Sequence, residues 1–193
     1  MQYDTFHDII KPIYSLQNSV RKMNFVQFEF PIFFILIFAL YWLTKKRSTQ
    51  NILLVITSAI FYGWVHPWFL ILLYSSAILD FNMGKLMVSK PEKKKVFLWI
   101  SMIGNLGMLG YFKYCNFFID NFNAIFSSIG VGASISNLNI FLPVGISFYT
   151  FQTMSYTIDI YRGEFKPRKN FIDYLSFISF FPQLVAGPVE RAA

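Results

Sequence analysis

A row of polar side chains runs through an apolar segment in the second half of the chain. Gly145, Tyr149, Gln152, Tyr156 and Asp159 follow one another at steps of four, three, four and three residues. At 3.6 residues per turn they share one face of a helix. Lipid cannot satisfy an amide or a carboxylate, so this face must meet protein or a wet cavity. We call the last four of these residues the seam, and predict that it lines a functional site or hydrogen-bonds neighbouring helices.

The composition is that of an integral membrane protein. Of the 193 residues, 55% are hydrophobic, 20% are aromatic and 14% are charged, whereas a soluble domain carries about 25% charged residues. The formal net charge of +7 comes largely from short basic clusters between apolar blocks. Such clusters are typical of cytoplasmic loops that face anionic headgroups. No nucleic-acid-binding motif accompanies them, so we expect membrane lipid and not nucleic acid as their partner.

Cysteine and histidine are too few for redox or metal chemistry. The chain has one cysteine, which excludes an intrachain disulfide. His7 and His66 are far apart and have no partner at ligand spacing, and His66 lies in a Trp-rich turn typical of a membrane interface. We therefore predict no metal site, no bound cofactor and no catalytic histidine among these residues.

The apolar blocks predict an all-α polytopic bundle of about five or six membrane segments. Several blocks are shorter than the usual span of about 20 residues, which predicts a thinned bilayer, recruited polar flanks or incomplete crossing. Residues 1–23 are either an N-terminal extension, with Met23 as the true start, or an interfacial segment, and residues 24–193 form the membrane domain. The blocks cover residues 30–44, 52–65, 68–87, 96–112, 142–162 and 171–186, with a less certain segment at 114–129.

The last block is interrupted. Pro182 removes a helical hydrogen bond within it, and Gly187 and Pro188 close it. Backbone groups freed at membrane depth need protein or water around them. We therefore predict a broken or re-entrant helix beside an internal cavity, in which these three residues shape the backbone and take no part in chemistry.

The basic residues predict the orientation in the membrane. Most of the 17 Lys and Arg residues lie in three segments, 45–47, 85–95 and 162–169. The positive-inside rule places these segments in the cytoplasm and the N-terminus outside, provided that residues 114–129 stay at the outer surface as an interfacial helix.

Two acidic residues have a cation nearby in sequence. Asp80 interrupts an apolar block close to Lys85, and we expect a local pair near the interface rather than a buried functional carboxylate. Asp159 and Arg162 are three residues apart, a spacing that allows an ion pair at the end of the helix.

Two long motifs resemble the membrane-bound O-acyltransferases, most closely their alginate O-acetyltransferase branch. They are LPVGISFYTFQTMSYTIDIYRG at 142–163 and FFPQLVAGPVER at 180–191, with weaker support from GYFKYCNFF at 110–118 and FYGW at 61–64. The branch that D-alanylates teichoic acid is less similar. A transporter or channel subunit remains the alternative from another class, because broken helices and polar seams also mark those proteins.

The resemblance implies an enzyme of the bacterial plasma membrane. It would move an acetyl group from a cytoplasmic thioester, such as acetyl-CoA, to hydroxyls of an exported polysaccharide, with the help of extracytoplasmic acetylation proteins. The catalytic histidine of the family lies in a later region, past the Gly-Pro motif. We therefore expect no catalytic residue in this chain and no activity from it alone.

The resemblance also suggests roles for two groups of residues. The seam of Tyr149, Gln152, Tyr156 and Asp159 would line the substrate tunnel. Three cations at the cytoplasmic mouth would meet the donor's phosphates, although topology alone also explains their charge. These cations are Arg162, Lys166 and Arg168.

Overall fold

A computed structural model describes residues 29–65, 67–128, 135–136, 138, 142–143 and 145–186. The predictions for residues 1–23, His7, His66, Gly187 and Pro188 lie outside the described residues. All regular structure within the described part is helical, which confirms the all-α prediction. The helices are α1 (Glu29–Leu43), α2 (Arg47–Val65), α3 (Pro67–Ser89), α4 (Lys94–Leu109), α5 (Cys115–Ser128), α6 (Ile146–Arg162), α7 (Phe171–Ile178) and α8 (Phe181–Ala186).

Helix α1 belongs to a different compact unit from the helices that follow Thr44. Its aromatic rings follow one another at four-residue steps, with centroids 6.2 Å apart for Phe30 and Phe34 and 6.4 Å apart for Phe34 and Phe38. This spacing places the rings on one helix face. At about 1.5 Å per residue, its 15 residues give roughly 22 Å, which is shorter than the hydrocarbon core of about 30 Å.

Helices α4 and α5 belong to one continuous helix. A 3₁₀ turn at Pro91–Lys93 leads into α4, and a π-helical turn at Gly110–Tyr114 joins α4 to α5. The helical run from Pro91 to Ser128 has 38 residues, or about 57 Å of helix axis if straight. No proline interrupts it after its first residue, and Gly110 keeps right-handed helical angles. The described part of the 114–129 segment is therefore the end of a long helix, and the expected separate interfacial helix is wrong for residues 114–128.

Helix α4 is polar inside and apolar outside. Ser101 and Asn105 are fully buried, whereas Trp99 and Ile103 are 56% and 66% exposed. A helix in water shows the opposite arrangement, while a helix in lipid exposes its apolar face. Among the described residues, α3 and the 91–128 helix are the two that are long and apolar enough to cross a membrane. We conclude that the chain is a membrane protein.

The buried polar face of α4 holds the carboxylate of Asp80 on α3. Ser101 Oγ donates to Asp80 Oδ1 at 2.6 Å, and Asn105 Nδ2 donates to both carboxylate oxygens at 2.9 and 2.8 Å. Asp80 is fully buried, and the Lys85 ammonium lies over the Phe81 ring, 4.2 Å from its centroid. The expected interfacial pair of Asp80 with Lys85 is therefore wrong, because side chains of the neighbouring helix bind the carboxylate.

The same network reaches α6. Ser76 Oγ donates to Asn105 Oδ1 at 2.5 Å, and Thr153 Oγ1 donates to the same oxygen at 3.4 Å. The hydroxyls of Ser101 and Thr157 lie 3.1 Å apart. Because these side chains come from α3, α4 and α6, the network ties the three helices together.

Two asparagines of α5 bind backbone groups of the segment that follows the helix. Asn123 exchanges two hydrogen bonds with the backbone of Ile135, both 2.8 Å long. Asn116 does the same with Leu138, at 2.8 and 3.0 Å. Each side-chain amide thus donates to a carbonyl oxygen and accepts from an N–H, which binds Ile135 and Leu138 to α5.

Helices α7 and α8 pack on α2. Asn51 Nδ2 donates to Asp173 Oδ1 at 2.7 Å, and the Phe181 N–H donates to Ser58 Oγ at 3.2 Å. The break between α7 and α8 lies at residues 179–180, not at Pro182. Pro182 occupies the first turn of α8, where its missing N–H leaves no hydrogen bond unmade.

Gly145 lies where the start of α6 contacts α8. It precedes α6 with φ +76°, and a Cβ there would lie 2.6 Å from the backbone oxygen of Leu184 on α8. Gly163, which follows α6, has φ +81° but open space around it. Both positions favour glycine because an L side chain strains the left-handed conformation. At Gly145 a side chain would also push α8 away.

Alanine substitutions at these two glycines distinguish the cost of a strained backbone conformation from the cost of a steric clash. We expect Gly163→Ala to destabilise by about 1–2 kcal/mol, and Gly145→Ala to cost clearly more because a backbone oxygen cannot rotate away. Gly107→Ala, in open space on α4, is the matched control and should be neutral or stabilising by up to about 1 kcal/mol, because alanine favours a helix over glycine. Thermal unfolding midpoints of the three variants check this order. Equal midpoints for Gly145→Ala and Gly163→Ala would contradict the close contact.

Candidate functional site

The seam is buried on α6. Tyr149, Gln152 and Tyr156 are 0% exposed and Asp159 is 3% exposed. Four polar side chains at helical spacing are thus removed from lipid, as their chemistry requires. Gly145 ends this row at the point where α6 begins.

The seam lies against α7 and the turn that precedes it. The backbone N–H of Arg168 donates to the Tyr156 hydroxyl at 3.1 Å, and the Tyr156 and Tyr174 rings are 4.5 Å apart at their centroids. Gln152 Nε2 makes a long hydrogen bond of 3.4 Å to the Phe177 carbonyl. The residues that follow α6 therefore fold back to cover part of its polar face.

Several buried polar atoms of α6 and α7 have no hydrogen-bond partner among the described residues. A buried polar atom without a partner costs roughly 1–3 kcal/mol, and such atoms are few in native proteins. Three of them belong to the seam and one to the helix that packs on it: Tyr149 Oη, Gln152 Oε1, Asp159 Oδ2 and, on α7, Tyr174 Oη. The fifth, Thr150 Oγ1, lies on the other polar face of α6, in the row of Thr153 and Thr157.

Helix α6 therefore has two polar faces with different hydrogen-bonding states. Thr153 and Thr157 belong to the network around Asp80, where hydroxyl, amide and carboxylate groups bind one another. Tyr149 and Gln152 keep a phenol hydroxyl and an amide oxygen without a partner in the described part of the chain. These two groups can donate to a carbonyl and accept from a hydroxyl. The seam is thus the better candidate site, and the Asp80 network is structural.

The predicted cations do not converge on one point. Arg162, Lys166 and Arg168 are all exposed, and Arg168 also borders a cavity of about 350 Å³ that the exposed Arg47 lines too. Asp159 forms no ion pair with Arg162 within the described residues, so the expected pair is absent there. The described residues also hold no group of three or more His, Cys, Asp or Glu side chains that could bind a metal ion.

Sequence reasoning missed the network, although a signal for it exists. Ser76 and Asp80 are four residues apart in an apolar helix, and so are Ser101 and Asn105. The spacing test that finds the seam also finds these pairs. No such spacing within one helix predicts that Arg47 and Arg168 line the same cavity.

The chain is similar to O-acetyltransferases. A probable alginate O-acetylase AlgI of Pseudomonas syringae pv. tomato is 40% identical over 176 residues, which are 89% of this chain and 33% of the relative. That of Pseudomonas aeruginosa is 39% identical over 155 residues, 79% of this chain and 29% of the relative. A peptidoglycan O-acetyltransferase of Helicobacter pylori is 31% identical over 185 residues, 82% of this chain and 34% of the relative.

The chain spans about a third of the length of these curated relatives. No family model matches it, and no solved structure matches it. The names of these relatives agree with the family that the two motifs at 142–163 and 180–191 indicate. Over the span that it shares with them, the chain is similar to the alginate O-acetylases, in agreement with its resemblance to the membrane-bound O-acyltransferases.

Proposed function

We propose that this chain forms part of an enzyme that transfers acetyl groups to hydroxyls of an exported polysaccharide. The observation that carries the proposal is the similarity to alginate O-acetylases over 89% of the chain. The buried seam supports it, because its free hydrogen-bonding atoms suit an acyl carbonyl and a hydroxyl. The relatives act on alginate and on peptidoglycan by name, so the proposal commits to a polysaccharide and not to one polymer.

The proposed reaction is acyl transfer from a thioester. A base removes the proton of the acceptor hydroxyl, the oxygen attacks the thioester carbonyl, and the thiolate leaves. The base is a histidine outside this chain. Tyr149 and Gln152 orient the reacting groups through hydrogen bonds, and acetyl-CoA or another acyl thioester serves as substrate. Extracytoplasmic acetylation proteins carry the acetyl group to the polymer.

The proposed location is the bacterial plasma membrane, crossed by five or six segments, with the N-terminus outside. Two contacts support a common cytoplasmic end for the three basic segments. Arg47 and Arg168 line one cavity, and the Lys94 ammonium lies 5.2 Å from the centre of the Tyr161 ring. All three segments adjoin helix ends, as loops on one side of a bundle do.

The topology can be tested with engineered cysteines in a Cys115→Ser background, which removes the one thiol of residues 1–193. We expect Lys94→Cys to be protected from a membrane-impermeant maleimide in intact spheroplasts and labelled in inverted vesicles. Ser128→Cys, about 50 Å further along the same helix, should behave in the opposite way. Labelling of Lys94→Cys in spheroplasts would contradict the proposed orientation.

The role of the seam can be tested by removing one oxygen. In the complete protein, Tyr149→Phe should leave the unfolding midpoint unchanged or higher, because the hydroxyl has no described partner. Acetyl transfer per molecule should fall about tenfold, equivalent to one lost hydrogen bond of ~1.4 kcal/mol. Tyr111→Phe, which removes a hydroxyl from an exposed ring, is the control.

Three outcomes separate the possibilities. Normal acetyl transfer by Tyr149→Phe would remove the seam from the site. Loss of both stability and transfer would make Tyr149 a packing residue. Absence of acetyl transfer by the unmodified complete protein would overturn the proposed function itself.

A further inference from the structure

One open cavity of this molecule is lined by two exposed arginines and one aspartate. It has a volume of about 350 Å³ and is lined by Arg47, Asn51, Arg168, Asp173, Ser176 and Phe177. These residues come from the first turns of α2, the first turns of α7 and the loop that leads into α7. The cavity lies within one compact unit, so its two sides belong to the same packed body.

The aspartate that lines this cavity, Asp173, already has hydrogen-bond partners. Asn51 Nδ2 donates to Asp173 Oδ1 at 2.7 Å. Ser176 Oγ donates to the Asp173 carbonyl oxygen at 3.0 Å. Asp173 thus has its carboxylate bound by an uncharged amide and its backbone bound by a hydroxyl. It forms no ion pair with either arginine among the described residues.

The two arginines keep their hydrogen-bonding groups available. Arg168 is fixed at its backbone, whose N–H binds Tyr156, and its guanidinium lies 5.1 Å from the centre of the Phe165 ring. Ring contact holds a guanidinium in place without using its N–H donors. Arg47 opens α2, where the helix dipole adds positive potential. Within the described part of the chain neither arginine has an anionic partner.

We propose that this cavity binds a phosphate group, with Arg47 and Arg168 as its anchoring residues. Guanidinium groups bind phosphate oxygens through paired N–H donors, which a lysine cannot reproduce. The phosphate belongs either to a soluble phosphate ester, such as the nucleotide part of coenzyme A, or to an anionic lipid headgroup. Only the assignment of this ligand as the acyl donor rests on the proposed function.

The chain supplies matched controls next to each arginine. Lys46 and Lys169 carry the same charge, adjoin Arg47 and Arg168 in sequence, and do not line the cavity. Neutralising them changes the general surface potential by as much as neutralising the arginines. A phosphate site predicts that the two pairs of variants differ, whereas a positive-inside charge alone predicts that they do not.

The experiment uses the complete protein in phosphatidylcholine nanodiscs and two probes. The first probe is coenzyme A, whose dissociation constant is measured. The second is phosphatidylglycerol, added to the nanodisc while the unfolding midpoint is recorded. We expect Arg47→Gln and Arg168→Gln to weaken coenzyme A binding at least about tenfold, or to abolish the shift produced by phosphatidylglycerol. Lys46→Gln and Lys169→Gln should change neither value more than about twofold.

The responding probe identifies the source of the phosphate. The same response in arginine and lysine variants would overturn the proposal, and so would an unmodified protein that responds to neither probe. If Arg47→Gln does not fold, Arg47→Lys keeps the charge and should still weaken binding, because it lacks the paired donors.

Acetyl transfer measured on the same preparations keeps the two proposals apart. Normal transfer with no difference between arginine and lysine variants overturns the phosphate site alone. Probe binding that depends on the arginines, in a protein that transfers no acetyl group, overturns the proposed function alone.

Discussion

The organisation of this chain depends on one constraint, which is that polar groups in a lipid-facing bundle must find partners inside it. Helix α6 meets this constraint differently on its two polar faces. On one face Thr153 and Thr157 complete the network around Asp80 and hold α6 to α3 and α4. On the other face Tyr149 and Gln152 lie buried with atoms that no described residue binds. The first face explains how the helices stay together, and the second is the candidate site for a polar ligand.

The residues after α6 fold back over the seam. The chain turns at Gly163, contacts Tyr156 through the backbone of Arg168, and continues as α7 against the seam. Helix α8 then reaches the start of α6, where the Leu184 carbonyl fits only against the bare backbone of Gly145. The two motifs that carry the family resemblance are thus in contact, which links their sequence signal to a physical contact.

Much of the fold was predictable because lipid-facing helices need apolar residues, so the apolar blocks and the polar residues between them mark where helices lie. The seam and the helix that carries it follow from spacing alone. The starting point of α2 does not, because polar residues between Arg47 and Asn51 continue the helix before its apolar pattern begins. Pro182 was interpreted as a break, although a proline in a first turn also permits a new helix to start.

Partners that are distant in sequence were not predictable. Asp80 was assigned to Lys85, its neighbour along the chain, whereas its partners Ser101 and Asn105 come from another helix. The cavity between Arg47 and Arg168 likewise depends on the packing of α2 against α7. Spacing within a helix identifies a polar face, but the helix that meets this face is determined by tertiary packing.

The central claim is that the seam of α6 holds polar groups without described partners, whereas Thr153 and Thr157 on its other polar face have them. Tyr149 and Thr153 test it most directly, since both are fully buried on α6, one on each face, and Tyr149→Phe and Thr153→Val each remove one hydroxyl at nearly constant shape. The Thr153 hydroxyl has bonds of 3.1 and 3.4 Å, whereas the Tyr149 hydroxyl has no described partner. The measurement is the unfolding midpoint of each variant. The account predicts a lower midpoint for Thr153→Val, from a loss of about 0.6 kcal/mol or more, and an unchanged or higher midpoint for Tyr149→Phe. Equal losses, or a larger loss for Tyr149→Phe, would contradict it.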